Sequence, residues 1–240
     1  MLRKNNVLGV DVTCETEDSI LEYILSSLKS SAENYFIVTP NPEIVVYANS
    51  HVKYKNILNE AKVALPDGVG VFLASAFLGH RLQARITGVD FMEEICKRSV
   101  DHPIEVGFLG GGPGIAKITA DCLKKKYPWM EVGFVGQEWN ERSLVGELDI
   151  LFVAFGAPKQ EEWIYEHFEH LPVKVTMGVG GAFDYISGNV RRAPFMARAV
   201  GFEWLFRLVV QPWRWRRQLA LLKFIWLVFR EKFFSFTYHI

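Results

Sequence analysis

Leu65-Pro66-Asp67-Gly68-Val69-Gly70 sets a carboxylate in a short turn between two apolar stretches. Proline disfavours helix leading into the turn and Gly68 permits a backbone angle closed to other residues, so Asp67 occupies a defined corner. A carboxylate mounted in this way can act as a general base. Pro-Asp-Gly is also among the commonest turn sequences, and these six residues alone favour the plain turn. The catalytic reading needs other groups on the same rim.

Several such groups stand where apolar runs end. Tyr35 to Thr39 is a compact apolar run closed by Pro40-Asn41-Pro42, which puts Thr39 and Asn41 at the carboxyl end of a strand. Gly110-Gly-Gly-Pro-Gly114 follows a strand and opens a helix, the arrangement in which free backbone N–H groups and the positive helix end hold a phosphate; a tight turn is the competing reading. It is no dinucleotide fingerprint, because Ile115 stands where the last glycine belongs, and no Walker lysine motif is present. Gly178-Val-Gly-Gly-Ala-Phe-Asp184 is a second such loop and turns the balance toward a nucleotide; Asp184 suits either a ribose or base contact or a helix N-cap.

Arg85 and Gly156-Ala-Pro-Lys-Gln160-Glu161 bring cations and an amide to that edge, although each taken singly reads as a solvated surface residue. There is no D-x-D pair to hold a divalent metal on a diphosphate, so a diphosphate leaving group would depend on Arg and backbone N–H donors. His167 and His170 share a helix face without a third ligand nearby, which favours an exposed polar face over a metal site.

The elements that must position these groups alternate. Strands are predicted at Val7 to Val12, Tyr35 to Thr39, Val63 to Leu65, Ile104 to Leu109, Glu131 to Val135, Asp149 to Phe155 and Val173 to Met177. Helices are predicted at Ser19 to Leu28, from Glu43 onward, Val69 to Phe77, Phe91 to Arg98, Ile115 to Lys126 and Glu162 to Phe168. This alternation predicts a Rossmann-like, layered α/β fold with a largely parallel sheet. In such a sheet ligands bind beyond the carboxyl ends of the strands, where all the groups above fall. Gly136 to Leu148 leaves little room for a crossover helix, so that connection is either a single turn or a different junction of the two strands.

Half of the 240 residues are hydrophobic, which excludes a disordered chain and suffices for a substantial core. The zero net charge hides an asymmetry: residues 194–240 carry eight Lys or Arg against Glu203 and Glu231, leaving 19 basic and 25 acidic residues in 1–193. Cys14, Cys96 and Cys122 are scattered without metal-type spacing, as in a reducing compartment. Met1-Leu-Arg-Lys-Asn-Asn runs into only a short apolar patch, which predicts no secretory signal, and no apolar run approaches the roughly 18 to 20 residues of a membrane span. The expected place is the cytoplasm.

Two parts are expected, an α/β body at 1–193 and a helical appendage at 194–240. The appendage holds Trp204, Trp213, Trp215 and Trp226, eight phenylalanines and the basic excess. Trp213-Arg-Trp-Arg-Arg217 followed by Leu219 to Phe229 predicts basic, aromatic helices lying in a bilayer interface. At about 1 kcal/mol for each cation near an anionic surface, that excess supports reversible attachment. Packing on the body or on another subunit competes with it; nucleic acid does not suit so long an apolar run.

Assembled, these stretches resemble the WecG/TagA/CpsF family of bacterial glycosyltransferases (glycosyltransferase family 26). The resemblance rests on Thr39 to Glu43, Pro66 to Gly70, Arg85 to Asp90, Gly110 to Gly114, Gly156 to Glu161 with Trp163, Gly178 to Asp184, Gly188 to Pro194, Gly201 to Arg207 and Gln211 to Arg214. It implies an inverting, metal- and cofactor-independent transfer of N-acetylmannosamine, or a related sugar, from a UDP donor to an undecaprenyl-diphosphate-linked N-acetylglucosamine. The setting it implies is cell-wall polymer synthesis of the teichoic acid type, with the protein peripheral on the inner face of the membrane.

Within that resemblance Asp67 matches the general base, Thr39 and Asn41 stand beside the donor sugar, and Arg85 and Gln160 match further active-site positions. Gly110, Gly111, Gly136, Gly180 and Asp184 are implied to hold the donor nucleotide. Arg207, Arg214 and Arg217 are implied to meet the lipid diphosphate or the membrane. One departure is the shortened stretch after Gly136, where relatives usually carry a Gly-Tyr-Phe element and a longer helix. Outside the family, a membrane-docked nucleotide sensor is the alternative; a nicotinamide-dependent oxidoreductase is disfavoured by the broken glycine fingerprint. Self-association into a homo-oligomer is compatible with either.

Overall fold

The computed structural model describes residues 2–30, 33–144, 146–199, 201–212 and 215–234. The chain opens on an antiparallel hairpin of β1 (Lys4–Val7) and β2 (Val10–Thr13). The single strand expected from Val7 to Val12 is thus two, because the run turns back at Leu8-Gly9 with φ of 55° and 83°. Paired left-handed angles close a two-residue hairpin whose twist suits its strands. Asn6 Oδ1 accepts from the Gly9 amide at 2.8 Å and holds the turn.

Six further strands form one parallel sheet: β3 (Tyr35–Val38), β4 (Val63–Ala64), β5 (Glu105–Gly110), β6 (Glu131–Gly136), β7 (Leu148–Ala154) and β8 (Val173–Gly178). Their order is β4-β3-β8-β7-β5-β6, so the two strands latest in the chain fill the centre. Helices α1 (Glu17–Leu28), α5 (Gly88–Lys97), α6 (Ile115–Lys126) and α8 (Ala182–Ile186) cover one face. The hairpin and helices α2 (Pro42–Ser50), α3 (Val52–Glu60), α4 (Val69–Leu78) and α7 (Lys159–His167) cover the other. Leu151 and Val153 of β7 enter one apolar layer while Ile150 and Phe152 enter the other. A strand covered on both faces is a continuous apolar run in sequence, which is why β7 was legible there.

The connection from β6 to β7 combines both expected solutions. Among its described residues only a 3-10 turn, Glu141–Ser143, forms, and the chain passes β5, which lies between the two strands. Trp139 folds onto Phe134, ring centroids 4.8 Å apart, and packs against the apolar layer. Between β5 and β6 the register shifts at Val106/Gly107, and a Cβ on Gly107 would lie 2.6 Å from Leu148 Cδ1. A side chain there would have to displace Leu148 and Leu151 of β7.

After α8 come α9 (Phe195–Ala199), α10 (Glu203–Val210) and α11 (Trp215–Phe234). Twenty residues make α11 about 30 Å long. Ala220, Phe224, Leu227 and Val228, spaced i, i+4, i+7, i+8, turn one face onto the apolar layer beside α2 and α4, and Phe224 and Leu227 are each 2% exposed. Trp215, Leu219, Leu222, Trp226, Phe229 and Phe233 form an exposed stripe on another face. Among the described residues no helix is long and apolar enough to cross a membrane.

Candidate active site

Because the sheet is parallel, all six strands deliver their carboxyl ends to one edge, and a cavity of about 1360 Å³ opens there. Asp67 stands in its wall, half-buried. Its amide donates to Pro40 O at 3.0 Å, and the Ile86 amide donates to Pro66 O at 3.2 Å, so the segments after β3, β4 and α4 are tied at this corner. Gly68 has φ of 85°, which an L side chain resists, and a Cβ on Gly70 would lie 2.5 Å from Pro42 Cγ. The Asp67 turn therefore closes directly against the start of α2.

Thr39 is buried, and its hydroxyl donates to Gly178 O at 3.3 Å across the β3–β8 junction. Asn41 caps α2: its Oδ1 accepts from the Ile44 amide at 3.0 Å, with Pro42 in the first turn. Both residues line the cavity with Asp67.

Arg85, next to Ile86 at this corner, also lines the cavity and donates from Nη2 to the carbonyl of Arg198 at 2.9 Å. Beside it Arg192 grips Asp90 in a fork, Nη1 to Oδ1 and Nη2 to Oδ2, both at 2.7 Å. Thr87 caps α5 and donates to Asp90 Oδ2 at 2.6 Å, and Arg198 Nη1 lies 3.6 Å from Oδ1. Burial works against charge on Asp90, yet the bonds from Arg192 and Thr87 and the two cations outweigh it and hold the carboxyl below its usual range. Sequence reasoning missed Arg192 and Arg198 as cavity residues, because neither lies at a strand end. The run Arg191-Arg192-Ala-Pro194 was the available signal, with Asp90 over a hundred residues away as its counterpart.

The glycine turns divide. Gly111 and Gly112 line the cavity ahead of α6, whose first turn has no side-chain cap. Gly110 lies behind them with φ of 97°, and a Cβ there would come within 2.7 Å of the Phe155 ring. Gly156, Gly180 and Gly181 complete the rim. Gly136 ends the edge strand β6 and is not among the residues around the cavity. Asp184 lines the cavity and accepts from Asn189 Nδ2 at 2.9 Å. Trp163 meets Phe155 edge-on at 5.6 Å and adds an aromatic wall.

Gln160 lies in the wall but is 1% exposed, with both ends of its amide bonded to the protein. The far end of the cavity is apolar, formed by Leu73 and Phe77 of α4, Trp204 of α10 and Phe224, Ile225 and Phe229 of α11. Arg207 and Arg217 belong to α10 and α11, their side chains outside the described part of the structure, and Arg214 lies outside the described residues. Among the described residues no three His, Cys, Asp or Glu side chains gather as a metal site.

A polar pocket with a mounted carboxylate, glycine turns for a charged group and an apolar extension suits an α/β enzyme that moves a polar group onto an amphiphile. The profile of the Glycosyl transferase WecG/TagA/CpsF family matches residues 5–237, and the chain belongs to that family. It is a glycosyltransferase. A relative from Bacillus spizizenii (strain ATCC 23059 / NRRL B-14472 / W23) is 33% identical over 221 residues, 89% of this chain and 86% of its own length. One from Staphylococcus aureus (strain MRSA252) is 35% identical over 222 residues, with the same shares. Both are named N-acetylglucosaminyldiphosphoundecaprenol N-acetyl-beta-D-mannosaminyltransferase.

Proposed function

We propose that the chain transfers N-acetylmannosamine from a UDP donor to N-acetylglucosamine carried on undecaprenyl diphosphate, at the inner face of the cell membrane, for a cell-wall polymer of the teichoic acid type. The observation that carries this reading is the continuity of one cavity from the Asp67 corner to the apolar side of α11. A lipid-linked acceptor needs such a path, with its sugar at the sheet edge and its prenyl chain toward the bilayer. The names of the relatives supply the sugar and the lipid carrier.

In this reading Asp67 takes the proton from the acceptor hydroxyl as that oxygen bonds to C1 of the donor sugar. The C1–O bond to UDP breaks on the opposite face, so the anomeric centre inverts and UDP leaves with the bonding pair. Thr39 and Asn41 border the donor sugar. Gly111, Gly180 and Asp184 border the nucleotide, and backbone N–H groups with Arg85 meet the charge that grows on the diphosphate. Residues 1–193 act as the catalytic body and 194–240 as the appendage, whose Arg207, Arg214 and Arg217 serve the lipid diphosphate or the membrane surface.

The test incubates the full chain with UDP-N-acetylmannosamine and acceptor-loaded anionic vesicles, following UDP release and the product by mass spectrometry. Acceptor-dependent UDP release with a gain of one N-acetylhexosamine is the expected result. Binding of UDP without release would favour the nucleotide sensor.

A further inference from the structure

Gln160 and Glu161 lie in the first turn of α7, just after the glycine turn that ends β7, and both side chains are buried. Gln160 Oε1 accepts from two backbone amides, Gly156 at 3.2 Å and Gly180 at 2.9 Å, which belong to the turns after β7 and β8. Its Nε2 donates to Glu161 Oε1 at 2.7 Å. Glu161 Oε2 accepts from the Tyr54 hydroxyl of α3 at 3.0 Å. An unbroken chain of hydrogen bonds thus runs from α3, behind the sheet, to two glycine turns on the cavity rim.

The direction of that chain follows from chemistry. The two backbone amides offer only donors, so the Gln160 carbonyl must face them and its NH₂ must face away. A carboxylate accepts on both oxygens and so receives that NH₂ and the Tyr54 hydroxyl together. A Cβ on Gly178 would lie 3.0 Å from Gln160 Nε2, so the amide sits directly on the end of β8.

We propose that Glu161, braced by Tyr54, is a positioning residue. It fixes the orientation of the Gln160 amide and thereby the separation of the turns at Gly156 and Gly180, which border the donor end of the cavity. Gln160 then acts through the backbone rather than on the sugar. Burial of an ionisable carboxyl is costly, and among the described residues no cation pairs with Glu161; a well-packed apolar side chain would fill the space at less cost. The need for an acceptor facing the Gln160 NH₂ accounts for a polar group at this position. The catalytic consequence rests on the glycosyltransferase reading, and the geometric one does not.

The experiment pairs amide hydrogen exchange with donor kinetics on the full chain. In Glu161→Ala, exchange at Gly156 and Gly180 should rise about tenfold while β5 keeps its wild-type protection. The KM for the UDP-sugar should rise by about as much, with a smaller change in kcat. Glu161→Gln keeps an acceptor for Gln160 and should restore both. Wild-type exchange at the two turns in Glu161→Ala overturns the assignment. If that variant exchanges rapidly throughout the sheet, Tyr54→Phe decides: faster exchange confined to the two turns upholds it, and unchanged turns overturn it. A wild-type protein that transfers no sugar would refute the proposed activity while the exchange readout still judges the network.

Discussion

Arg85 Nη2 donates to the main-chain oxygen of Arg198 at 2.9 Å, so a guanidinium rooted beside the Asp67 corner ends on the chain that leads to the last helices. With the Arg192–Asp90 fork, this contact fastens one wall of the cavity to the other. Lysine keeps the charge of Arg85 but not the planar array of donors. Arg85→Lys should therefore loosen the segment after Arg198, read as faster limited chymotrypsin cleavage between residues 195 and 215. Equal digestion of variant and wild type would show that the bond holds nothing in place.

Asp67→Asn retains the size of the side chain and loses the base. Transfer should fall by about 10² to 10⁴, the usual worth of a positioned general base, while UDP affinity stays near wild type. Near-normal turnover would remove Asp67 from the chemistry and return it to the role of a turn residue.

The faces of α11 separate stability from surface binding. Phe224→Ala empties a buried position and should cost about 3 to 5 kcal/mol in denaturant unfolding. Trp226→Ala changes an exposed ring and should move stability by no more than about 0.5 kcal/mol. It should weaken co-sedimentation with anionic vesicles, which Phe224 does not face. Vesicle binding indifferent to Trp226 would argue against the exposed stripe as the contact.

Burial pushes the Glu161 carboxyl up to about 7, against the pull of its bonds from Gln160 and Tyr54. An unfolded glutamate gives up its proton near 4.5, so between those values the folded state holds a proton that the unfolded state has lost. The contribution of this group is full below about 4.5 and disappears as pH rises through about 7. The thermal midpoint should decline over that window, and Glu161→Gln should flatten this part of the slope. A slope unaltered by the substitution would mean that the carboxyl titrates normally.

Much of the architecture was legible because β3 (Tyr35–Val38) and the Ile150 to Ala154 part of β7 are covered on both faces and appear as unbroken apolar runs, with β5 and β8 nearly so. The hairpin was not, since Val7, Leu8, Val10 and Val12 read as one mostly apolar stretch and nothing in Leu8 announces a φ of 55°. Helix α3 escaped notice because it buries only Tyr54, Ile57 and Leu58 and follows α2 with His51 alone between them. At the site, strand-end residues could be found from local punctuation. Arg192, Arg198 and the Tyr54–Glu161 pair could not, because each depends on a partner supplied by a distant element.

The strand order also bears on how the protein is made. β7 and β8 enter last yet lie between β3 and β5, so a chain emerging from the ribosome carries two half-sheets with exposed inner edges until about residue 178 is available. An amino-terminal fragment that stops before β7 lacks the strands that join the two halves. The Thr39–Gly178 bond forms only when that central pair inserts, so the catalytic cleft cannot be assembled before β8 is available.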